Sequence, residues 1–192
     1  MIQLICQLLF SYIQLTQKRV PIIPFQRKED VMKMNRWFAL VVVVIMCFAS
    51  GAFAQAPPPY GLPISLEVAK KVAAAAVAEA KKNNWYMAVV VTDGSGSLVY
   101  LERLDNTQYG SVDVAIAKAR SAAAYRNSTK VFADILAQGG LGNRVLILPG
   151  AMPVGGGLPI VIDGKLVGTI GVSGGTMAQD EQVAAVGVDA LK

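Results

Sequence analysis

Three groups of residues in this chain are suited to chemistry: Arg103 and Asp105 in LERLDNT, Lys118 in DVAIAKARSAAAY, and Ser173, Gly174 and Gly175 in IGVSGGT. Arg103, Asp105 and Lys118 could form a polar rim around a pocket, with two cations for an anionic ligand and a carboxylate beside them. Ser173 to Gly175 sit where an apolar run gives way to a helix start, so their backbone N–H groups could hold a carboxylate or phosphate. Each group also has a plain structural reading. Arg103 and Asp105 can be a surface ion pair worth about 0–1 kcal/mol, and Lys118 a solvated helix residue. Glycines at a strand-to-helix corner often serve only positive φ or close backbone approach. GVSGG is neither a Walker loop nor a GxGxxG fingerprint.

The elements that must position these residues can be read from pattern and punctuation. Leu158 to Ile162 and Leu166 to Val172 are apolar, β-branched-rich runs joined by Asp163-Gly164, the dipeptide that best accepts a type I′ hairpin turn. Thr176 and Gln179 then form a T-x-x-Q capping box, with Asp180 and Glu181 against the positive end of the helix dipole. Upstream, Ser65 begins a helix through about Lys82, stopped by Asn83 and Asn84. Trp85 to Thr92 and Ser97 to Leu104 flank Asp93-Gly94-Ser95-Gly96 as a first hairpin. Ser111 can cap the next helix, Ser128 opens a shorter one ending near Gly139-Gly140, and Val145 to Leu148 is a short strand candidate. Hairpins flanked by helices predict an α+β domain, one antiparallel sheet of about five strands, rather than a doubly wound parallel fold.

Composition excludes several chemistries. The chain has no histidine, and both cysteines, Cys6 and Cys47, lie near the N-terminus. A Ser-His-Asp triad, HExxH zinc chemistry and histidine ligation of haem are therefore all excluded. Lys33 and Arg36 precede an apolar run from Trp37 to Ala49, and Ala52-Phe53-Ala54 offers small residues where a signal peptidase reads. The expected organisation is an upstream segment 1–31 ahead of the true start, a signal peptide 32–54 cleaved after Ala54, a proline-rich leader 55–63 and one domain 64–192. The leader is expected to be disordered or to lie on a partner. Export to the periplasm or outside the cell follows, with membrane contact only through the signal segment. Six of the 18 basic and two of the 13 acidic residues precede Gln55, so 12 and 11 remain, a net +1. The basic pI gives no reason to expect nucleic acid.

The sequence IDGKLVGTIGVSGGTMAQDEQVA resembles the C-terminal signature of the GlcG/HbpS family of haem-binding proteins, whose domain is also similar to the C-terminal domain of PduO-type cobalamin adenosyltransferases. VVVTDGSGSLVYLERLDNT resembles the family's first hairpin and DVAIAKARSAAAY its central helix, so the likeness covers about Ile64 to Lys192. It implies a profilin-like α/β/α sandwich, haem as cofactor, and a homo-oligomer, commonly an octamer. The matching positions are Asp93, Gly94, Arg103, Asp105, Lys118, Gly164, Gly168, Gly171, Ser173, Gly174, Gly175 and Asp180; many serve the fold as readily as a ligand. RLDNT departs from the RMDGA-like form of the family, and Arg120 stands where a small hydroxyl residue is usual.

Haem needs an apolar slot, cations for its propionates and sometimes an axial ligand. Arg103, Lys118 and Arg126 are candidate propionate partners, and Tyr100, Tyr109, Tyr125, Met87, Met152 and Met177 the available axial donors; no one of them stands out. The resulting expectation is an exported binding protein for haem or a related tetrapyrrole, acting in sequestration, sensing or delivery. Two other classes stay open: an enzyme acting on a carbonyl or carboxylate metabolite at Ser173 to Gly175 with Lys118 as acid or base, and a structural or interaction module.

Overall fold

The computed structural model describes Ala56–Lys192; the segments 1–31 and 32–54, with the expected cleavage after Ala54, lie outside the described residues. In chain order the elements are α1 (Leu66–Lys82), β1 (Ala88–Asp93), β2 (Leu98–Arg103), α2 (Gly110–Tyr125), α3 (Thr129–Ala137), a 3-10 helix (Gly140–Ile147), β3 (Gly157–Ile162), β4 (Lys165–Ser173) and α4 (Met177–Asp189). The strands form one antiparallel sheet in the order β2-β1-β4-β3.

The sheet is covered on both faces, which is why β1 reads as an unbroken apolar run. Val89 and Val91, beside Val172 and Ile170 of β4, join Ala69, Val72, Ala73 and Ala76 of α1 and Val183 of α4 in the larger core. Ala88 and Val90 point the other way and pack on Ala115 and Ala119 of α2. Full burial of each such valine contributes about 1.5–3 kcal/mol. The alanines of α2 let it sit close to the sheet: a Cβ on Gly171 would overlap the Ala115 carbonyl. This is the α/β/α layering the family likeness implies.

Local signals give the expected turns and caps. Asp163 and Gly164 both have positive φ, 50° and 73°, as a type I′ turn requires. The Thr176 hydroxyl accepts from the Gln179 N–H at 3.3 Å and the Gln179 side chain accepts from the Thr176 N–H at 2.9 Å, completing the capping box. Ser65 and Ser128 cap α1 and α3.

Three expectations need correction. The sheet has four strands among the described residues, because Val145 to Leu148 belongs to the 3-10 helix and the turn that ends it, where Leu148 N–H donates to Val145 O at 3.3 Å. Its Leu146 and Ile147 stay exposed, and β3 already fills the sheet edge beside β4. Ser111 is no cap: α2 starts one residue earlier, and the buried Ser111 hydroxyl has no partner among the described residues. The proline-rich leader docks on its own domain. Leu166 N–H donates to Pro59 O at 2.8 Å and Gly61 N–H to Leu166 O at 2.7 Å, so the leader continues the sheet where β1 has ended. Tyr60 fastens it, its hydroxyl donating to Ala123 O at 3.1 Å and its ring lying 5.2 Å beneath the Arg126 guanidinium.

Candidate functional site

At one end of the sheet β1 begins and β2 and β4 finish, and there the surface opens into a cleft of about 370 Å³. The end of α1 builds its first wall. Asn83 and Asn84 stop the helix, Asn84 with φ of 56°, and Trp85 N–H donates back to Ala80 O at 2.9 Å. This reversal delivers Lys81, Asn84, Trp85 and Tyr86 to the cleft. Trp85 is half-buried against the core, whereas Tyr86 is 54% exposed. The opposite wall is Glu102, Arg103, Leu104 and Asp105 at the end of β2, held in place by Leu104 N–H donating to Met87 O at 3.1 Å.

The cleft therefore joins two aromatic rings to two cations and two carboxylates, a size and lining suited to a planar organic anion. Arg103 makes no ion pair among the described residues, with Asp105 or otherwise. Its guanidinium lies 5.5 Å over the Tyr109 ring, a cation–π contact of about 0.5–1 kcal/mol that leaves its donors available. Glu102 is engaged by the Tyr100 hydroxyl at 3.0 Å, and this bond raises the Tyr100 pKa above its ordinary value.

Lys118 does not line this cleft. It lies 1% exposed beneath the sheet's end, its Nζ donating to Asp180 Oδ2 at 2.7 Å and to Val172 O at 2.9 Å. Asp180 Oδ1 accepts the Gly175 N–H at 3.0 Å. Burial pushes the Asp180 carboxyl above its usual range, against the downward pull of the Lys118 hydrogen bond and charge. Two amides of the GVSGGT corner are thus already matched: Gly175 by Asp180 and Thr176 by Gln179. Ser173 is buried in the ladder opposite Ala88. Gly174 has φ of 148°, and a Cβ there would overlap the Tyr86 carbonyl. So Arg103 and Asp105 meet in the cleft, Gly174 braces it from behind through Tyr86, and Lys118, Ser173 and Gly175 belong to the layer that supports it.

The other candidate donors lie elsewhere, and neither Met152 nor Met177 lines the cleft. The Tyr125 hydroxyl donates to Pro149 O at 2.7 Å, Met87 is fully buried, and Arg126 lies over Tyr60. A second cleft, about 380 Å³ at the far end of the sheet between Tyr60 and the Asp93 turn, has its polar groups satisfied internally. The residues that the motif reading passed over are Lys81, Trp85 and Tyr86. The signal for them was a helix stop, Asn83-Asn84, followed at once by two aromatics at the head of a strand.

Known proteins share the sequence and fold of this domain. Protein GlcG of Escherichia coli is 36% identical over 110 residues, 57% of this chain and 81% of the relative. The structure of a double mutant of Streptomyces reticuli HbpS superimposes with a TM-score of 0.63 at 31% identity, over 74% of this chain and 96% of that one. The PduOC–haem complex does so at 0.60 and 26%, over 67% and 95%. Residues 64–189 match the family described as haem degrading protein HbpS-like, and by that match and these relatives the chain belongs to the GlcG/HbpS family.

Proposed function

We propose that this domain binds haem or a related tetrapyrrole in the cleft between Trp85-Tyr86 and Arg103-Asp105, for sequestration, sensing or delivery. The observation that carries the reading is the pairing of an aromatic wall with the Lys81 and Arg103 cations. A macrocycle needs the first, and its propionates need the second. The chemistry of these residues fits haem: apolar ring contact, charge for two carboxylates and a phenol oxygen lie in one cleft. The solved PduOC relative is a haem complex, and the family description names haem. Haem bound here would supply a redox-active iron, with Trp85 and Tyr86 to hold its ring and Arg103 to hold a propionate.

The test is a titration of the protein with ferric haem followed by absorbance. Saturable binding is expected; its absence in folded protein sinks the proposal. Membership of a family of haem degrading proteins favours a second reading, in which haem is consumed. Steady loss of the bound-haem absorbance in the presence of a reductant and oxygen would support turnover, and a stable complex supports carriage.

Export and assembly complete the proposal. The basic residues Lys33 and Arg36, the apolar run after them and Ala52-Phe53-Ala54 support a cleaved signal, so the secreted protein is expected to begin at Gln55 by mass measurement. Exposed Leu141, Leu146 and Ile147 on the 3-10 helix support a homo-oligomer, up to an octamer, to be read by light scattering.

A further inference from the structure

We infer that the Tyr86 hydroxyl is the axial donor to haem iron in this cleft and that the site is therefore selective for ferric haem; this rests on the haem-binding reading above. The chain has no histidine, and Cys6 and Cys47 lie outside the described residues. Of the five described tyrosines, Tyr60, Tyr100 and Tyr125 spend their hydroxyls on Ala123 O, Glu102 and Pro149 O. Tyr86 and Tyr109 have no such bond among the described residues. Only Tyr86 lines the cleft; Tyr109 is 86% exposed outside it, beneath the Arg103 guanidinium.

Position agrees with this assignment. The Tyr86 backbone is fixed from behind by Gly174, where any side chain would collide with its carbonyl, and from within by the strand that starts at Ala88. A tyrosine that ligates iron does so as phenolate; the cleft that holds Tyr86 carries two cations, Lys81 and Arg103, and two carboxylates, Asp105 and Glu102, the last engaged by the Tyr100 hydroxyl. An anionic oxygen donor is hard and matches Fe(III) better than Fe(II). Tyr86 would therefore hold the oxidised iron and lose its hold on iron reduced by an added reductant such as dithionite. Tighter binding of the oxidised form must, by linkage, lower the reduction potential of the bound haem.

The experiment compares full-length wild type, Tyr86→Phe and Tyr109→Phe, each titrated with ferric haem and with dithionite-reduced haem, with circular dichroism as the folding control. Absorption and resonance Raman spectra of each complex report whether a phenolate binds iron. Wild type and Tyr109→Phe are expected to show phenolate-to-iron charge transfer and to prefer ferric haem. Tyr86→Phe is expected to lose that signature, to bind ferric haem about 10- to 100-fold more weakly, the scale for disturbing a metal's immediate surroundings, and to lose the ferric preference. Haem binding with the same spectrum in Tyr86→Phe as in wild type would overturn the ligand assignment and leave the binding proposal standing. So would a signature lost only in Tyr109→Phe. Failure of wild type to bind haem at all overturns both.

Discussion

The Lys118 ammonium and the Asp180 carboxylate meet at 2.7 Å with side chains 1% and 3% exposed, tying the middle of α2 to the first turn of α4. Each charge depends on the other, since an isolated ion in such surroundings costs several kcal/mol. Asp180 in turn fixes the Gly175 amide. Lys118→Met is therefore expected to destabilise the domain by about 3–5 kcal/mol, the cost of leaving a buried partner unpaired. Removing both charges in Lys118→Met with Asp180→Leu should recover part of that loss. Denaturant unfolding of the three proteins checks it, and a wild-type midpoint for Lys118→Met would show that the pair holds nothing together.

Gly174→Ala should damage the cleft from behind. The backbone there has φ of 148°, which side chains rarely adopt, and the new methyl would meet the Tyr86 carbonyl. A strained backbone of this kind costs about 1–3 kcal/mol. The expected outcome is a lower unfolding midpoint together with altered Tyr86 and Trp85 signals in near-ultraviolet circular dichroism. Gly164→Ala, in a turn with nothing within 4 Å of the added methyl, pays strain alone and should leave those aromatic signals unchanged.

The contrast between these sites explains what the sequence could disclose. The Asp163-Gly164 turn and the Thr176-Gln179 capping box are made by residues one and three apart, so composition at fixed offsets predicts them. Lys118 and Asp180 are 62 residues apart, and nothing in AIAKARS distinguishes a lysine that faces water from one that closes a layer. Val145 to Leu148 has the β-branched and apolar character of a strand, but it pairs with neither edge strand, β2 or β3, and instead closes the 3-10 helix. Ser111 has the chemistry of a cap, yet the helix starts one residue before it. Arg103 and Asp105 were legible because they end a strand beside a turn. Tyr86 was not, because its importance comes from the end of β2 and from Gly174, far away in sequence.

The Asp93 carboxylate organises the first hairpin turn, accepting from the Ser95 N–H at 2.8 Å, the Ser95 hydroxyl at 2.7 Å and the Ser97 N–H at 3.0 Å. Burial raises its pKa, but these bonds outweigh burial and hold it below the ordinary 3.8. The sign follows from linkage: a depressed folded pKa stabilises above the unfolded value and loses that contribution as pH falls through the folded one. Wild type should therefore weaken below about pH 4. Asp93→Asn, which cannot titrate, should be less stable near neutrality and show a shallower loss over the same acid range in thermal melts. Equal slopes would mean that Asp93 takes no part in acid unfolding.

Arg103 and Lys118, alike as isolated cations in the sequence, should now separate by experiment. Arg103 is exposed at the cleft with no carboxylate partner among the described residues, so Arg103→Ala removes a ligand contact and little else. Haem affinity is expected to fall by about 1–3 kcal/mol, the scale of a lost charge-assisted hydrogen bond, with the unfolding midpoint nearly unchanged. Lys118→Ala should do the reverse at first sight, lowering the midpoint by far more, and should affect haem only as far as the Asp180, Gly175 and Gly174 supports loosen behind Tyr86. Haem titration and denaturant unfolding of both variants decide the matter. If Lys118→Ala weakens haem binding while the fold keeps its full stability, Lys118 contacts the ligand and the cleft at Tyr86 and Arg103 is not the whole site.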